Sequence, residues 1–353
     1  MTHLYLVRHA HAEWQPDEGR PLSLRGRSDA RRVADLLARR RPVAVYSSPA
    51  RRALETVQGV AERCALEPVL VDDLRERELP AVPPEQFPAA VRASWEAPDR
   101  APEGGEPNRT AQARGRAALL GIASRHPGES VVVATHGNLL TLALGALDPG
   151  FDFGFWRGLA FPDVYEATFD GATLTGVSRT WSESLPVLQT PRLLLRPLSP
   201  EDAWFILELV SDPSFIKNIG DRHVRSSVDA RAYIRAGAMR TYARQGVGTH
   251  AVVLKDGGTP IGVCGLLKRE VFEDHDVGFA FLPHSWSKGY AFESAAAVLE
   301  HGRETLGLSR ILAFTSLDNT ASMRLLEKLG FRFEKIVRFE GEPVRLFNKD
   351  LRR

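Results

Sequence analysis

Short apolar runs punctuate the first half of the chain at residues 4–7 (LYLV), 43–46 (VAVY), 69–71 (VLV) and 131–134 (VVVA). They are mostly β-branched and lack polar alternation, the pattern of strands buried on both faces. Amphipathic helical patterns occupy about 26–40, 50–64, 109–125 and 138–147. This alternation predicts an α/β unit of three layers with a mostly parallel sheet. Residues 160–181 turn to short strands around Asp170-Gly171, and 80–107, rich in Pro, Glu and Gly, read as part helix and part loop over one sheet edge.

SESLPVLQTP, residues 182–191, reads as a linker between domains at 1–182 and 188–353. Beyond it the pattern predicts a strand (192–196), helices (200–211 and 227–245) and an antiparallel pair (249–255 and 260–268). A strand (276–282), a Gly-bearing loop (285–289), a helix (290–306), a strand (310–316), a helix (319–329) and strands near 331–338 and 344–350 complete an α+β pattern.

Length and composition agree with two soluble domains: 353 residues exceed the usual single core, and 43% are hydrophobic. All seven lysines lie at or after Lys217. Residues 1–183 carry 22 Arg against 24 Asp and Glu, and 184–353 carry 24 basic against 20 acidic residues, which marks two modules joined end to end. A net charge of +2 argues against a nucleic-acid binder. No run reaches membrane-span length, and the N-terminus lacks signal-peptide features. Two buried thiols, Cys64 and Cys264, in a reducing cytoplasm fit this better than a disulfide. The expected location is cytoplasmic, with no membrane partner.

The chemistry gathers where strands end. Arg8-His9, Ser47-Ser48 and Thr135-His136 each follow a strand, and such sheets collect reactive groups at the C-terminal strand ends. A neutral imidazole can accept a phosphoryl group covalently if cationic donors surround the transferring oxygens. Arg8, Arg51 or Arg52, and His136 are such donors. In this order, LVRHAHAEW, PLSLRGRSDARRVADLL, YSSPARRALETV and ATHGN resemble the histidine phosphatase superfamily (phosphoglycerate mutase-like) over about residues 1–180. The resemblance implies His9 as phosphorylated nucleophile, with Arg8, Arg52 and His136 as the phosphate pocket. It implies a carboxylic acid as proton donor, Glu76 or Glu78 of LRERE, with Glu76 fitting better. Glu106, in EGGEP, is expected to line the site. The chain departs from the family at Ala10 (usually Gly), His11 (often Glu), Gln15 (often Asn) and Leu79-Pro80 after the acid. His11 reads as a solvated or supporting residue. Metal ligation by His9, His11 and nearby acids is disfavoured, because arginines in the pocket repel cations. No cofactor is expected here.

In the second half, TPRLLLRPLSPEDA, DVGFAFLPHSWSKGYAFESA and SLDNTASMRLLEKLGF resemble GCN5-related N-acetyltransferases of the ribosomal-protein acetyltransferase-like branch, over about 188–353. This implies the GNAT fold, with a mixed, largely antiparallel sheet, and acetyl-CoA as cofactor. The amides of Lys288, Gly289, Tyr290 and Ala291 would hold its pyrophosphate at a helix N-terminus. The strand edge at Phe281 and Leu282 would pair with its arm, and Asn319 and Ser322 match the family's N-x-x-S element. Asp276 is the candidate base, although EDHD also reads as a solvated hairpin edge. Ser322 is a candidate acid, since Leu326 stands where many relatives have tyrosine. Asn319 also reads as a helix cap, and Trp286 as packing. Ser287 replaces a usual loop glycine.

The expected whole is a bifunctional enzyme. It hydrolyses a phosphate ester, as a phosphatase and not a mutase, and acetylates an amine on a small molecule or protein N-terminus. The alternative is a phosphatase whose second domain only binds CoA as a sensor or scaffold.

Overall fold

The computed structural model describes residues 1–13, 19–79, 85–101 and 105–352, without the side chains of residues 87 and 88. Gln15, Pro80 and Glu103 lie outside the described residues. The chain divides into two compact units, Met1–Trp181 and Ser182–Arg353.

In the first unit, β1 (Thr2–Arg8), α1 (Leu24–Leu37), β2 (Ala44–Ser47), α2 (Arg51–Cys64) and β3 (Val69–Leu70) alternate as the apolar pattern requires. Then come α3 (Phe87–Glu96), α4 (Asn108–Arg125), β4 (Ser130–Thr135), α5 (Gly137–Gly145), α6 (Phe153–Gly158) and the hairpin β5 (Asp163–Asp170) and β6 (Thr173–Arg179). The sheet order is β3-β2-β4-β1-β5-β6, with the first four strands parallel and the last two antiparallel. Its core includes Leu4, Leu6, Val131, Val133 and Phe169, all without solvent exposure. Register places Arg8 beside Thr135 and Ser47 beside Ala134, so three reactive strand ends share one edge.

Helix phase then decides between adjacent arginines. On α2 the buried stripe is Arg52, Ala53, Thr56, Val57, Val60 and Ala61, a helical period, so Arg52 turns inward. Arg51 is exposed and pairs with Glu55 at 2.6 Å.

The second unit begins with β7 (Leu188–Gln189), within the expected linker, and β8 (Leu193–Pro197). Helices α7 (Ala203–Ser211), α8 (Pro213–Ile219), α9 (Ser227–Ile234) and α10 (Arg240–Gln245) follow. The single helix expected at 227–245 is interrupted by a π turn at Arg235–Met239. The helix α8 has no counterpart in the sequence reading, although Asp212 caps it and Pro213 opens it. Strands β9 (Thr249–Leu254), β10 (Pro260–Leu267) and β11 (His275–Phe281), then α11 (Tyr290–Glu304), β12 (Arg310–Ser316), α12 (Thr320–Lys328), β13 (Arg332–Phe339) and β14 (Glu342–Asp350) complete it. The sheet order is β13-β14-β12-β11-β10-β9-β8-β7, and only β11–β12 is parallel.

The start of α1 presses on the reactive edge. Ser23 caps the helix by accepting from the Gly26 amide at 3.1 Å, and a Cβ on Gly26 would collide with the His11 carbonyl oxygen. Gly26→Ala is therefore expected to destabilise the fold by about 1–3 kcal/mol in denaturant titration, an overpacking cost. An unchanged midpoint would show that the segment yields freely.

Candidate functional site

His9 leaves β1 with its backbone amide bonded to the Thr135 carbonyl at 3.0 Å. Its Nδ1–H donates to the Ala10 carbonyl at 2.7 Å, which leaves the lone pair on Nε2. Arg52 Nε donates to that Nε2 at 3.3 Å, and Arg52 Nη2 donates to His136 Nδ1 at 3.1 Å. His136 Nε2–H then donates to Ser48 Oγ at 2.8 Å. Thr56 ties the parts together: its hydroxyl donates to the Arg52 carbonyl at 2.6 Å and accepts from the Ala10 amide at 2.9 Å. The small Ala10 beside this brace is fully buried.

Arg8 closes the other side. It donates to the carbonyls of Leu159 at 2.9 Å and Ala160 at 3.3 Å, and its guanidinium lies 3.4 Å over the Phe161 ring. Its Nε is buried without a hydrogen-bond partner. A Cβ on Gly137 would fall 3.0 Å from the Arg8 Cζ, so the glycine of ATHGN lets the guanidinium in. Burial lowers the Arg8 pKa to about 10, opposed by Glu76 and Asp163, so it remains cationic at neutral pH.

These cations act on the imidazoles. Burial first, then Arg52, Arg8 and Arg20, lower the His9 pKa to about 3, against the bond to Ala10. His136 is pushed well below its ordinary value by burial first, then by His9, Arg52, Arg20 and Arg114. Both rings are neutral at physiological pH. Arg20 escaped the sequence reading: it belongs to a polar stretch ahead of α1, and only the fold brings its charge near both histidines.

The carboxylates separate into different tasks. Glu76 reaches the N-terminus of α5, accepting from the amides of Leu139 at 3.0 Å and Asn138 at 3.2 Å. That helix starts immediately after His136, so Glu76 is tied to the segment that carries His136. Glu78 is largely exposed, with Arg75 Nε 3.7 Å from its carboxylate. Of the two, Glu76 is the one bonded to the start of α5. Glu106 departs from its expected place in the phosphate pocket. Its two oxygens are forked by Arg114 at 2.7 Å each, and Arg114 also donates to the carbonyls of Asp73, Arg75 and Glu76. Glu106 therefore steadies, through Arg114, the loop that carries Glu76. His11 is exposed and bonds Ser23 Oγ, a supporting position at the α1 cap.

In the second unit, β11 and β12 are paired only at His275–Ile311 and Asp276–Leu312, then part. Leu282 N–H bonds the Ile261 carbonyl and its carbonyl accepts from Ser285, so Leu282 has no backbone group to offer an arm. By the two-residue period, positions 280, 278 and 276 also turn to β10, while 277, 279 and 281 turn toward the gap. Leu282 is thus a correction, and Phe279 joins Phe281 as the edge that faces the split. The Phe281 carbonyl already accepts from the Trp286 indole at 2.7 Å, leaving its amide.

The loop to α11 carries Ser287 at φ 60° and Gly289 at φ 80°. The left-handed conformation costs serine roughly 1 kcal/mol that a glycine avoids. No side chain caps α11, so the amides of Tyr290 and Ala291 are open to an anion there. Lys288 is exposed beside them, and its carbonyl is held by Arg192 at 2.9 Å. Arg192 stacks 4.6 Å from the Tyr290 ring and, with Thr190, binds Glu293 in the first helical turn. The open amides and the unpaired strand edge fit a carrier whose amide-bearing arm is joined to a pyrophosphate.

Asp276 lies at the closed end of the split, 1% exposed, with Arg269 Nε at 3.0 Å. Burial raises its pKa to about 6 despite Arg269. It is neither a solvated hairpin edge nor an unpaired base. Asn319 Oδ1 accepts from the Ser322 amide at 3.0 Å, capping α12 at the open end, with Ser322 half-buried in its first turn. Leu326 is 1% exposed and belongs to the core. Cys64 and Cys264 are both free thiols. No helix among the described residues is long and apolar enough to cross a membrane.

The depressed histidine has a pH consequence. Below pH 6.5 the unfolded chain binds a proton that native His9 refuses until about pH 3, so stability falls as pH falls through that window. Unfolding free energy is expected to drop by about 2 kcal/mol per such histidine between pH 6.5 and 5. A His9→Gln variant should lose that share of the slope, and a His9 ring signal titrating near 6.5 would contradict the assignment.

Comparison with known proteins follows the same division. The model of the histidine phosphatase superfamily (branch 1) matches residues 4–173, and that of the acetyltransferase (GNAT) domain matches 192–332. The uncharacterized N-acetyltransferase YoaA of Bacillus subtilis is 31% identical over 156 residues, covering 43% of this chain and 86% of its own. Phosphoglycerate mutase-like protein 4 of Arabidopsis thaliana is 34% identical over 156 residues, covering 39% and 67%. Phosphoserine phosphatase 1 of Hydrogenobacter thermophilus is 32% identical over 151 residues, covering 38% and 71%. The chain belongs to the histidine phosphatase superfamily through its first unit and to the GNAT acetyltransferases through its second.

Proposed function

We propose that the chain is a bifunctional enzyme, cleaving phosphomonoesters through a phosphohistidine and transferring an acetyl group to an amine. The observation that carries the first half is a neutral His9 whose Nε2 lone pair faces guanidinium groups. Arg8, Arg20 and Arg52 gather the phosphoryl oxygens as charge develops on them. His9 Nε2 attacks phosphorus, the bond to the ester oxygen breaks, and Glu76 gives that oxygen its proton. Glu76 then takes a proton from a water that attacks the phosphohistidine, the P–N bond breaks, and phosphate leaves with His9 neutral again. When the oxyanion enters, Arg52 can turn its Nη2 from His136 to the ligand, and His136 Nδ1 becomes available to bear a proton.

In the second unit, acetyl-CoA supplies a thioester acyl group when bound. Tyr290 and Ala291 amides and the backbone edge at Phe279 and Phe281 are the groups to hold it. Asp276, with its pKa near 6, accepts the proton of the acceptor ammonium, directly or through water, and Arg269 orients the carboxylate. Ser322 at the open end is the candidate proton donor to the leaving thiolate. The acceptor is an amine on a small molecule or on a protein N-terminus, and the setting is cytoplasmic.

Two kinetic comparisons test this. His9→Ala should abolish phosphate release from p-nitrophenyl phosphate. Glu76→Gln should lower kcat about 10²–10⁴-fold on alkyl phosphates and far less on the activated aryl ester. Equal losses on both esters would remove Glu76 as the acid. For the second unit, calorimetric binding of acetyl-CoA without acetylation of any amine in a broad panel would leave only a binding module.

A further inference from the structure

One cation of the second unit is held in place with its outer edge unused. Arg269 follows β10 and donates Nε to Asp276 Oδ1 at 3.0 Å. It makes no other hydrogen bond among the described residues, and 29% of its side chain is exposed, so Nη1 and Nη2 are open. A guanidinium that serves only to neutralise a carboxylate takes it with a fork. Arg196 does this to Asp202, with Nη1 at 2.9 Å and Nη2 at 2.7 Å. Arg269 gives Asp276 a single bond. Its face is fixed as well, with the guanidinium carbon 4.9 Å from the centres of the Phe314 and Phe339 rings.

The groups around it come from separate segments and meet on one face of the sheet. Leu312 pairs with Asp276, so Phe314, two residues on, projects from the Asp276 face. Phe339 closes on Phe314 with ring centres 4.6 Å apart, and Phe272 stacks on Phe339 at 6.1 Å. All three rings are only half-buried. Lys268 Nζ holds the loop that carries Phe272 by donating to the carbonyls of Phe272 and Glu273. From α9 the Tyr233 hydroxyl lies in electrostatic range of Arg269, and also of Arg222 and Glu340, which pair at 3.4 Å. A proton acceptor, an open guanidinium edge and a half-exposed apolar wall therefore meet where β11 and β12 part.

An α-amino acid carries an amine, a carboxylate one carbon away, and a side chain on that same carbon. With its amine at Asp276, its carboxylate meets the Nη1–Nη2 edge, which takes a planar oxyanion through two parallel bonds. An apolar side chain then covers the phenylalanine rings. A peptide N-terminus has an uncharged amide in place of that carboxylate, and a polyamine brings further positive charge to Arg269.

We propose that the acetyl acceptor is a free α-amino acid with an apolar side chain, its carboxylate bound by Nη1 and Nη2 of Arg269. The proposal rests on the acetyltransferase reading and narrows it. The α-ammonium passes one proton to Asp276, and its nitrogen bonds to the acyl carbon as the C–S bond breaks. The departing thiolate takes a second proton from that nitrogen, and an N-acetyl amino acid leaves.

The test uses the full chain with acetyl-CoA. It sets L-leucine, L-methionine and L-phenylalanine against their amides and their decarboxylated amines, with spermidine and a tripeptide that begins with phenylalanine alongside. For one or more of the amino acids, kcat/KM should be at least about tenfold higher than for its amide, its amine, the tripeptide or spermidine. Arg269→Gln should bring the acid-to-amide ratio within about threefold of unity, whatever its effect on the absolute rate, and Arg269→Lys should keep part of the preference. Calorimetric titration with CoA present needs no turnover: wild type should bind the acid at least about tenfold tighter than the amide, and Arg269→Gln should bind them alike. Equal handling of acid and amide by the wild type, or a preference for the tripeptide or spermidine, would overturn the proposal without any variant. So would an unchanged ratio in soluble Arg269→Gln. Acetylation of any of these amines keeps the acetyltransferase reading even where the proposal falls. If no amine is acetylated, that reading fails; acid-selective binding in the calorimetry would then still support the Arg269 site, and no binding would remove it too.

Discussion

The first unit depends on keeping one imidazole neutral and aimed while it is surrounded by positive charge. The Ala10 carbonyl does this by accepting from His9 Nδ1, which leaves the Nε2 lone pair facing Arg52. Burial and the neighbouring guanidiniums discourage the proton that would quench the nucleophile. The sheet makes the arrangement rigid. β1 and β4 run in register through Arg8 and Thr135, β2 delivers Ser48 beside them, and the buried phase of α2 brings Arg52 inward. In the proposed reaction the same guanidinium groups that suppress protonation would offset the charge that develops on the phosphoryl oxygens.

A different constraint governs the second unit. Two parallel neighbours hold only two rungs and then separate, which exposes backbone groups that a regular sheet would have paired. The proposed base sits on the last paired rung, and two helix N-termini follow the parted strand ends. From Asp276 to Phe281 the strand covers roughly 16 Å at its normal rise, so the proposed base and the loop that leads to α11 lie at opposite ends of β11. The unusual serine at φ 60° lies in the connecting loop, where a glycine would bear the turn without strain. Arg269, 4.9 Å from each of the adjoining Phe314 and Phe339 rings, keeps the buried carboxylate from standing alone.

Much of this was readable along the chain, for reasons that differ by residue. Unalternated apolar runs marked the parallel strands β1, β2 and β4, because burial on both faces removes polar positions, whereas β3 is an edge strand with Val69 and Leu70 exposed, against the expectation of burial on both faces. The preference for Arg52 over Arg51, read from the motif, agrees with the 3.6-residue period of α2. Three features escaped for one reason: they depend on contacts between distant segments. Arg20 meets His9 only through folding, Glu106 is captured by Arg114 from α4, and the parity of β11 decides that Leu282 faces β10. The helix α8 and the short β7 were missed because brief elements carry too few residues to show a period. Arg77 is buried, yet it looked like one more charge in LRERE, and nothing in a run of alternating acids and bases distinguishes a buried guanidinium from a solvated one.

The central claim is that Nε2 of His9, held bare by the Ala10 carbonyl, is the atom that takes the phosphoryl group. The most direct measurement traps the phosphoenzyme by rapid quench at alkaline pH and identifies the modified atom by phosphorus NMR and peptide mass spectrometry. The account predicts a single phosphohistidine at position 9, bonded through Nε2, stable to base and lost in acid. Phosphate on Nδ1, on another residue, or no covalent intermediate during measured turnover would contradict it.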